Sequence, residues 1–336
     1  MSLPRMVLVD PWNPDPRIVK EAAMLLRGGG LVAFPTETVY GLGANGMDPS
    51  AAARIFRAKG RPVDNPLILH FAAPEDVDSV AMVTPRAKRL MELFWPGPLT
   101  LVLPSRGTVP SEVTAGLDTV AVRMPSHPVA LALIAMAGIP VAAPSANSSG
   151  RPSPTDADSV AQDLGCAVDL VLDGGRTWVG VESTVLDVAG EAMVLLRPGG
   201  ASVEEIEEQT GEKVSLSGGD ARKSPGTRYR HYAPRIPLLL DDGKRIRERA
   251  AAHGERIAWV GMDGPFGVFP EGEIEPSLCI LFETPENYAR GLFHALRTFE
   301  AEGADVIVAQ WPPTAEGISL ALRDRLYRAS SGGDSP

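Results

Sequence analysis

Short apolar runs bounded by proline, glycine and threonine punctuate this chain, and between them apolar residues recur at helical spacing. Asp15 and Pro16 read as a cap and first-turn proline, Ile18, Ala22, Leu25 and Leu26 share one face, and Gly28 to Gly30 stop the helix. Leu31 to Phe34 follows as a strand. Asp48-Pro49 opens a second helix, with Ala52, Ile55 and Phe56 at core spacing and Arg57, Lys59 and Arg61 near or just past its end. Thr84-Pro85 opens a third, with Ala87, Leu90, Met91 and Phe94 inward, and Trp95-Pro96-Gly97-Pro98 ends it.

Leu67 to Phe71, Leu99 to Leu103, Thr119 to Met124 and Ile139 to Ala143 read as further strands, with a helix from about Pro128 to Ala137. Asp169 to Leu172, Ser183 to Val188 and Met193 to Arg197 add three more. Strands mixed with helices over the first ~210 residues predict an α/β or α+β domain with a large mixed sheet. From Ser215 to Pro237 the composition shifts to SLSGGDARKSPGTRYRHYAPRIP, without either period, and this is the predicted linker. Beyond it, Leu238 to Leu240, Ile257 to Val260, Leu278 to Leu281 and Val306 to Val308 alternate with helices near Gly243 to Ala252, Pro285 to Glu300 and Ala315 to Ala329. That alternation predicts a small Rossmann-like open sheet. The expected organisation is a first domain over 1–214, a linker over 215–237 and a C-terminal domain over 238–336.

Length and composition agree. The 336 residues exceed the usual size of one core. Hydrophobic content of 44% and charged content of 22% describe an ordinary globular protein. No apolar run is long enough to span a bilayer and no signal peptide is read at the start, so a cytoplasmic location without membrane contact is expected. Cys166 and Cys279 form no metal or disulfide pattern. The net charge of −10 argues against broad, salt-driven binding to nucleic acid, though not against a local basic pocket.

The candidate chemistry centres on Ala33 to Phe71. Thr36, Glu37 and Thr38 interrupt two apolar strands, Lys59 and Arg61 stand two residues apart before Asn65, and His70 sits among Leu67, Ile68, Leu69 and Phe71. A lysine point charge and an arginine fork suit phosphate and carboxylate, yet basic residues at a helix C-terminus are also common dipole partners. His70 taken alone reads as a hydrogen-bonded core histidine. The segment VAAPSANSSGRPSPT leaves a strand and offers Ser145, Asn147, Ser148, Ser149 and Ser153, which suits either a nucleotide loop or a plain Ser/Pro turn. Arg123, ending TVAVRMP, either pairs with an acid inside the sheet or binds an anionic ligand. Ser183 and Thr184 in GVESTVLDV and Arg197 in LLRPG repeat the theme of a polar residue at a strand edge. Arg228, Tyr229, Arg230, His231 and Tyr232 form either a solvated basic strip or a cover for a phosphate or base. No P-loop, nucleophile elbow, HExxH or paired-cysteine site is present, so any ATP chemistry uses a different cradle.

These stretches together resemble the Sua5/YrdC/YwlC family of threonylcarbamoyl-AMP synthases, in its two-domain Sua5 form. The resemblance rests on FPTETVYGLG, KGRPVDNPLILH, AVRMP, APSANSSGRPSPT, ESTV, LRPG and SPGTRYRHYAP, with a looser match at AEGISLALRDRLYRAS. It implies a YrdC-like twisted mixed sheet followed by a small Rossmann-like Sua5 domain. The implied reaction joins L-threonine, bicarbonate and ATP into threonylcarbamoyl-adenylate and pyrophosphate, which other proteins use in the t6A37 modification of tRNA. By the motifs, Lys59 and Arg61 are the catalytic cations, and Thr38, His70, Arg123 and Ser183 hold threonine. Arg61, Asn65, Thr119, Ser145, Ser153, Arg197 and His231 bind ATP, and Tyr229, Arg230 and Tyr232 are lid candidates. Mg²⁺ is expected with ATP, with no protein ligand assigned to it. Thr227 and Arg228 depart from the family's linker, where an apolar residue and a lysine are expected. Two other functions remain open at this point: a non-catalytic double-stranded RNA or tRNA-binding factor, and a carbamoyltransferase.

Overall fold

The structure is a computed structural model that describes residues 4–216, 218–225, 231–240, 256–263 and 278–330. The chain folds as two units, 1–149 with 153–228, and 150–152 with 229–336.

Among the described residues the first unit holds one mixed sheet of eleven strands. In chain order these are β1 (Met6–Leu8), β2 (Val32–Phe34), β3 (Gly41–Asn45), β4 (Ile68–His70), β5 (Leu99–Pro104), β6 (Thr119–Arg123), β7 (Val141–Ala142), β8 (Leu170–Asp173), β9 (Thr184–Asp187), β10 (Met193–Arg197) and β11 (Val214–Ser215). Their spatial order is β1-β8-β2-β3-β7-β4-β6-β5-β9-β10-β11. Helices α1 (Pro16–Arg27), α2 (Pro49–Lys59), α3 (Pro85–Phe94), α4 (Ser111–Thr114), α5 (Pro128–Ala137), α6 (Ala157–Leu164) and α7 (Val203–Thr210) connect them.

The caps explain the helix boundaries. Asp15, Asp48 and Thr84 accept backbone N–H groups at the starts of α1, α2 and α3, each followed by a proline in the first turn. Gly60 ends α2 in the left-handed region at φ 62°, leaving Lys59 as its last helical residue.

The two faces of the sheet have different tasks. On one, Leu69, Val120, Val122, Leu101 and Leu103 pack with residues of α2, α3, α6 and α7 into the main core. On the other, α1 and α5 cover Val32, Phe34, Val141 and Leu170. Farther along that second face, Ile68, Ala121, Val102 and Val185, with Leu196 against them, form a cluster built from strand residues alone. Because side chains alternate along a strand, His70, Arg123, Thr119 and Thr100 share this face with the small cluster.

The second unit contains a four-stranded parallel sheet of β12 (Leu238–Leu240), β13 (Ile257–Gly261), β14 (Leu278–Leu281) and β15 (Val306–Ala309), in the order β12-β15-β13-β14. Helices α8 (Pro285–Ala301) and α9 (Ile318–Ser330) follow β14 and β15. The strands and these two helices match the expected alternation, while the helix predicted near Gly243 to Ala252 lies outside the described residues. Arg151 belongs to this unit and is clasped by Glu300 of α8 through two bonds of 2.7 Å. No helix among the described residues is long and apolar enough to cross a membrane.

Three features differ from the sequence reading. The glycines at 41 and 43 belong to a strand, β3, which pairs with β2 on one side and β7 on the other, so sheet contacts override their poor strand propensity. Ser215 sits in β11 opposite Val194 rather than in an aperiodic segment. Helices α6 and α7 fall where no helix is expected from the sequence, although Asp156 and Ser202 cap them.

Candidate active site

One row of paired residues organises the site. Val141 of β7 stands opposite His70 of β4, His70 opposite Arg123 of β6, and Arg123 opposite Thr100 of β5. Thr100 stands opposite Val185 of β9, which pairs with Arg197 of β10. The register of β10 shifts between Leu195 and Arg197, and this bulge brings Arg197 into the row. Three strongly polar residues far apart in sequence thus meet on the face carrying the strand-only cluster.

Arg123 is held from three directions. Its Nη2 donates to Glu37 Oε1 at 2.7 Å and to Thr38 Oγ1 at 3.1 Å, and its Nε donates to the Gly97 carbonyl at 3.3 Å. Both side chains of the Arg123–Glu37 pair are buried, at 5% and 3% exposure. The acid pairing offered for Arg123 by the sequence is present, with Glu37 as the acid. Thr36 shapes the loop that carries Glu37, since its hydroxyl donates to the Val39 carbonyl at 2.6 Å and lies 2.8 Å from the Thr38 hydroxyl. The Glu37 carbonyl accepts the N–H groups of Trp178 and Val179, and the Thr38 carbonyl accepts that of Gly180.

His70 is buried, and its Nδ1 lies 3.2 Å from the Ile68 carbonyl. Burial, and then the charge of Arg123, push its imidazole down to about 3, so it is neutral near pH 7. Thr100 and Ser183 share a hydroxyl contact of 2.8 Å. Arg197 donates to the Ser183 carbonyl from Nε and Nη2, at 3.2 and 2.8 Å, and to the Pro225 carbonyl from Nη1 at 3.1 Å. The turn after Arg197 lies so close that a Cβ on Gly199 would come within 2.3 Å of the Glu182 carbonyl.

A second group surrounds the end of α2. Lys59 is buried and its Nζ donates to the carbonyls of Ser145 and Asn147. Burial, and then Arg61, hold its amine well below the ordinary lysine value. Arg61 donates to the carbonyls of Asn65 at 3.3 Å and Pro66 at 3.0 Å. Asn65 is buried, and its Nδ2 has no hydrogen-bond partner among the described residues. Ser145 Oγ donates to Asn147 Oδ1 at 2.6 Å, and Ser153 Oγ donates to Glu182 Oε1. Thr119 starts β6, two residues before Ala121 on the same face as Arg123.

The structure therefore joins Thr38, His70, Arg123, Ser183 and Arg197 in one row and its borders, and Lys59 with Ser145 beside Arg61 and Asn65. His231 and Tyr232 belong to the second unit. There the Tyr232 ring is buried between Phe293, 5.5 Å away, and the Arg325 guanidinium, 4.9 Å away. The sequence had offered Tyr232 as a lid residue, whereas its packing makes it part of that unit's interior. Tyr229 and Arg230 lie outside the described residues, as do Thr227 and Arg228.

Sequence reasoning gave no role to Glu37, Thr100 or Glu182. Each is a polar residue inside or beside an apolar strand and almost wholly buried, the same signal that singled out Arg123.

Residues 24–199 match the Sua5/YciO/YrdC family, described as telomere recombination. The chain belongs to that family. Residues 201–331 match the domain described as threonylcarbamoyl-AMP synthase, C-terminal domain. The threonylcarbamoyl-AMP synthase of Pyrococcus abyssi is 48% identical over 330 residues, covering 96% of this chain and 95% of that protein. That of Bacillus subtilis is 45% identical over 329 residues, covering 95% and 94%. The crystal structure of P. abyssi Sua5 complexed with L-threonine superposes with a TM-score of 0.88 at 44% identity, covering 97% of both chains. The Sua5-type architecture of this chain thus extends through both units.

Proposed function

We propose that this Sua5-family chain is a threonylcarbamoyl-AMP synthase, a nucleotidyl-transfer enzyme that makes L-threonylcarbamoyl-adenylate and pyrophosphate from L-threonine, bicarbonate and ATP. The observation that carries the reading is the buried row of His70, Arg123, Thr100 and Arg197 in a chain 48% identical, over 330 residues, to a threonylcarbamoyl-AMP synthase.

In this reading Arg123 takes threonine's carboxylate, while Thr38, His70 and Ser183 surround its hydroxyl and amine. The amine and bicarbonate yield a carbamate whose oxygen must attack the α-phosphorus, so two anions have to be brought together. Arg61 supplies positive charge there, and Asn65, Thr119, Ser145, Ser153 and Arg197 hold the nucleotide. Lys59 contributes by fixing the carbonyls of Ser145 and Asn147, which sets the loop rather than touching phosphate. Positioning and charge neutralisation then account for the rate, and no covalent nucleophile is needed.

No group of three or more His, Cys, Asp or Glu side chains suited to a metal occurs among the described residues. Mg²⁺ would be carried by the triphosphate and would neutralise charge on the leaving pyrophosphate. The adenylate would be passed to other proteins that complete t6A in tRNA, and the expected compartment is the cytoplasm.

The test is product identity. Given ATP, L-threonine and isotopically labelled bicarbonate, the enzyme should form an adenylate carrying one threonine and one labelled carbon by mass spectrometry. An adenylate of threonine without that carbon would refute the reading.

A further inference from the structure

The Arg123–Glu37 pair leaves one carboxylate oxygen and one guanidinium nitrogen unused. Glu37 Oε1 accepts from Arg123, but Oε2 is buried with no hydrogen-bond partner among the described residues. On the other side, Arg123 spends Nη2 on Glu37 and Thr38 and Nε on the Gly97 carbonyl, while Nη1 makes no hydrogen bond among the described residues. One acceptor and one donor therefore remain on a single fixed ion pair.

The charge around this pair is balanced. His70 adjoins Arg123 across the sheet, and burial pushes it down to about 3. His127 interacts electrostatically with Glu37, and burial pushes it down to about 4. Both imidazoles are neutral near pH 7, so one guanidinium faces one carboxylate. A ligand offering only a carboxylate to Arg123 would bring a second anion beside Glu37 in a buried setting, which is unfavourable. A ligand with both charges would satisfy the free donor and the free acceptor together.

We propose that Glu37 receives the ammonium of the amino-acid substrate on Oε2, so that the Glu37–Arg123 pair restricts the site to zwitterions. The pair then acts as a two-point gauge: Arg123 reads the carboxylate, Glu37 the amine, and neighbouring hydroxyls the side chain. This deepens the threonine reading and rests on it.

Calorimetric titration of the full chain tests the proposal with two ligands, L-threonine and the hydroxy acid that carries a hydroxyl in place of threonine's amine. Wild type should prefer threonine by about 100-fold or more, the discrimination expected when a buried charge loses its partner. Glu37→Gln should compress that ratio to below about 10-fold, mostly through weaker threonine binding. Glu37→Asp keeps the charge and should keep the preference. Loss of affinity for both ligands alike in Glu37→Gln would show that the residue only holds Arg123, and would overturn the proposal, as would unchanged binding. Should Glu37→Gln not fold, judged by its melting transition, a wild-type preference below about 10-fold overturns it independently. A wild type that binds no threonine would defeat the underlying functional reading, a result distinct from every pattern in the variants.

Discussion

His70 stands directly opposite Arg123 across β4 and β6, a neutral imidazole against a guanidinium. Its folded-state value lies below that of an unfolded histidine, so the unfolded chain binds the proton first as pH falls. The stability of the folded form is complete above about pH 6.5 and is lost on acidification toward pH 3, and for His127 toward pH 4. Between pH 7 and 5 each histidine costs about 2 kcal/mol. Urea denaturation of His127→Asn, which retains a helix cap for α5, should show a correspondingly smaller loss over that interval than wild type. An identical loss would mean that His127 titrates normally.

Removing Arg123 alone should be costly. Arg123→Met leaves Glu37 buried without its cation, an expected loss of about 3–5 kcal/mol in unfolding free energy. Adding Glu37→Leu should restore much of it, because the double variant buries no charge. Additive losses in the double-mutant cycle would show that the two side chains do not depend on one another.

Lys59→Met should free the carbonyls of Ser145 and Asn147. Hydrogen exchange at the Ala146 and Ser149 amides, which donate to the Tyr40 and Lys59 carbonyls, should accelerate about tenfold or more. The apparent affinity for ATP should weaken in parallel. Unchanged exchange would remove Lys59 from the support of this loop.

Thr100→Val deletes the hydroxyl that meets Ser183 at 2.8 Å. The expected cost is about 1–2 kcal/mol of stability, with a rise in the threonine KM larger than the fall in kcat. The opposite split would place Thr100 in the chemical step instead of in substrate positioning.

Much of the scaffold was legible because its signals are local. Asp15-Pro16, Asp48-Pro49 and Thr84-Pro85 announce three helices by residues that cap them directly. The strands of the second unit are equally plain apolar runs. By contrast, β3 is written GLGAN and becomes a strand only through its two neighbours. The site followed the same division. Arg123 and His70 stood out as polar residues in apolar surroundings, but their adjacency depends on the pairing of β4 with β6, which no spacing in the sequence encodes. Arg197 needed a bulge to join them. Glu37 was hidden between two threonines, and its meaning depended on a partner 86 residues away.

The proposed reaction condenses three substrates rather than hydrolysing one. The most direct measurement is pyrophosphate release from ATP, with threonine and bicarbonate omitted in turn. Release should require both. Release that continues at the same rate without either would contradict the account.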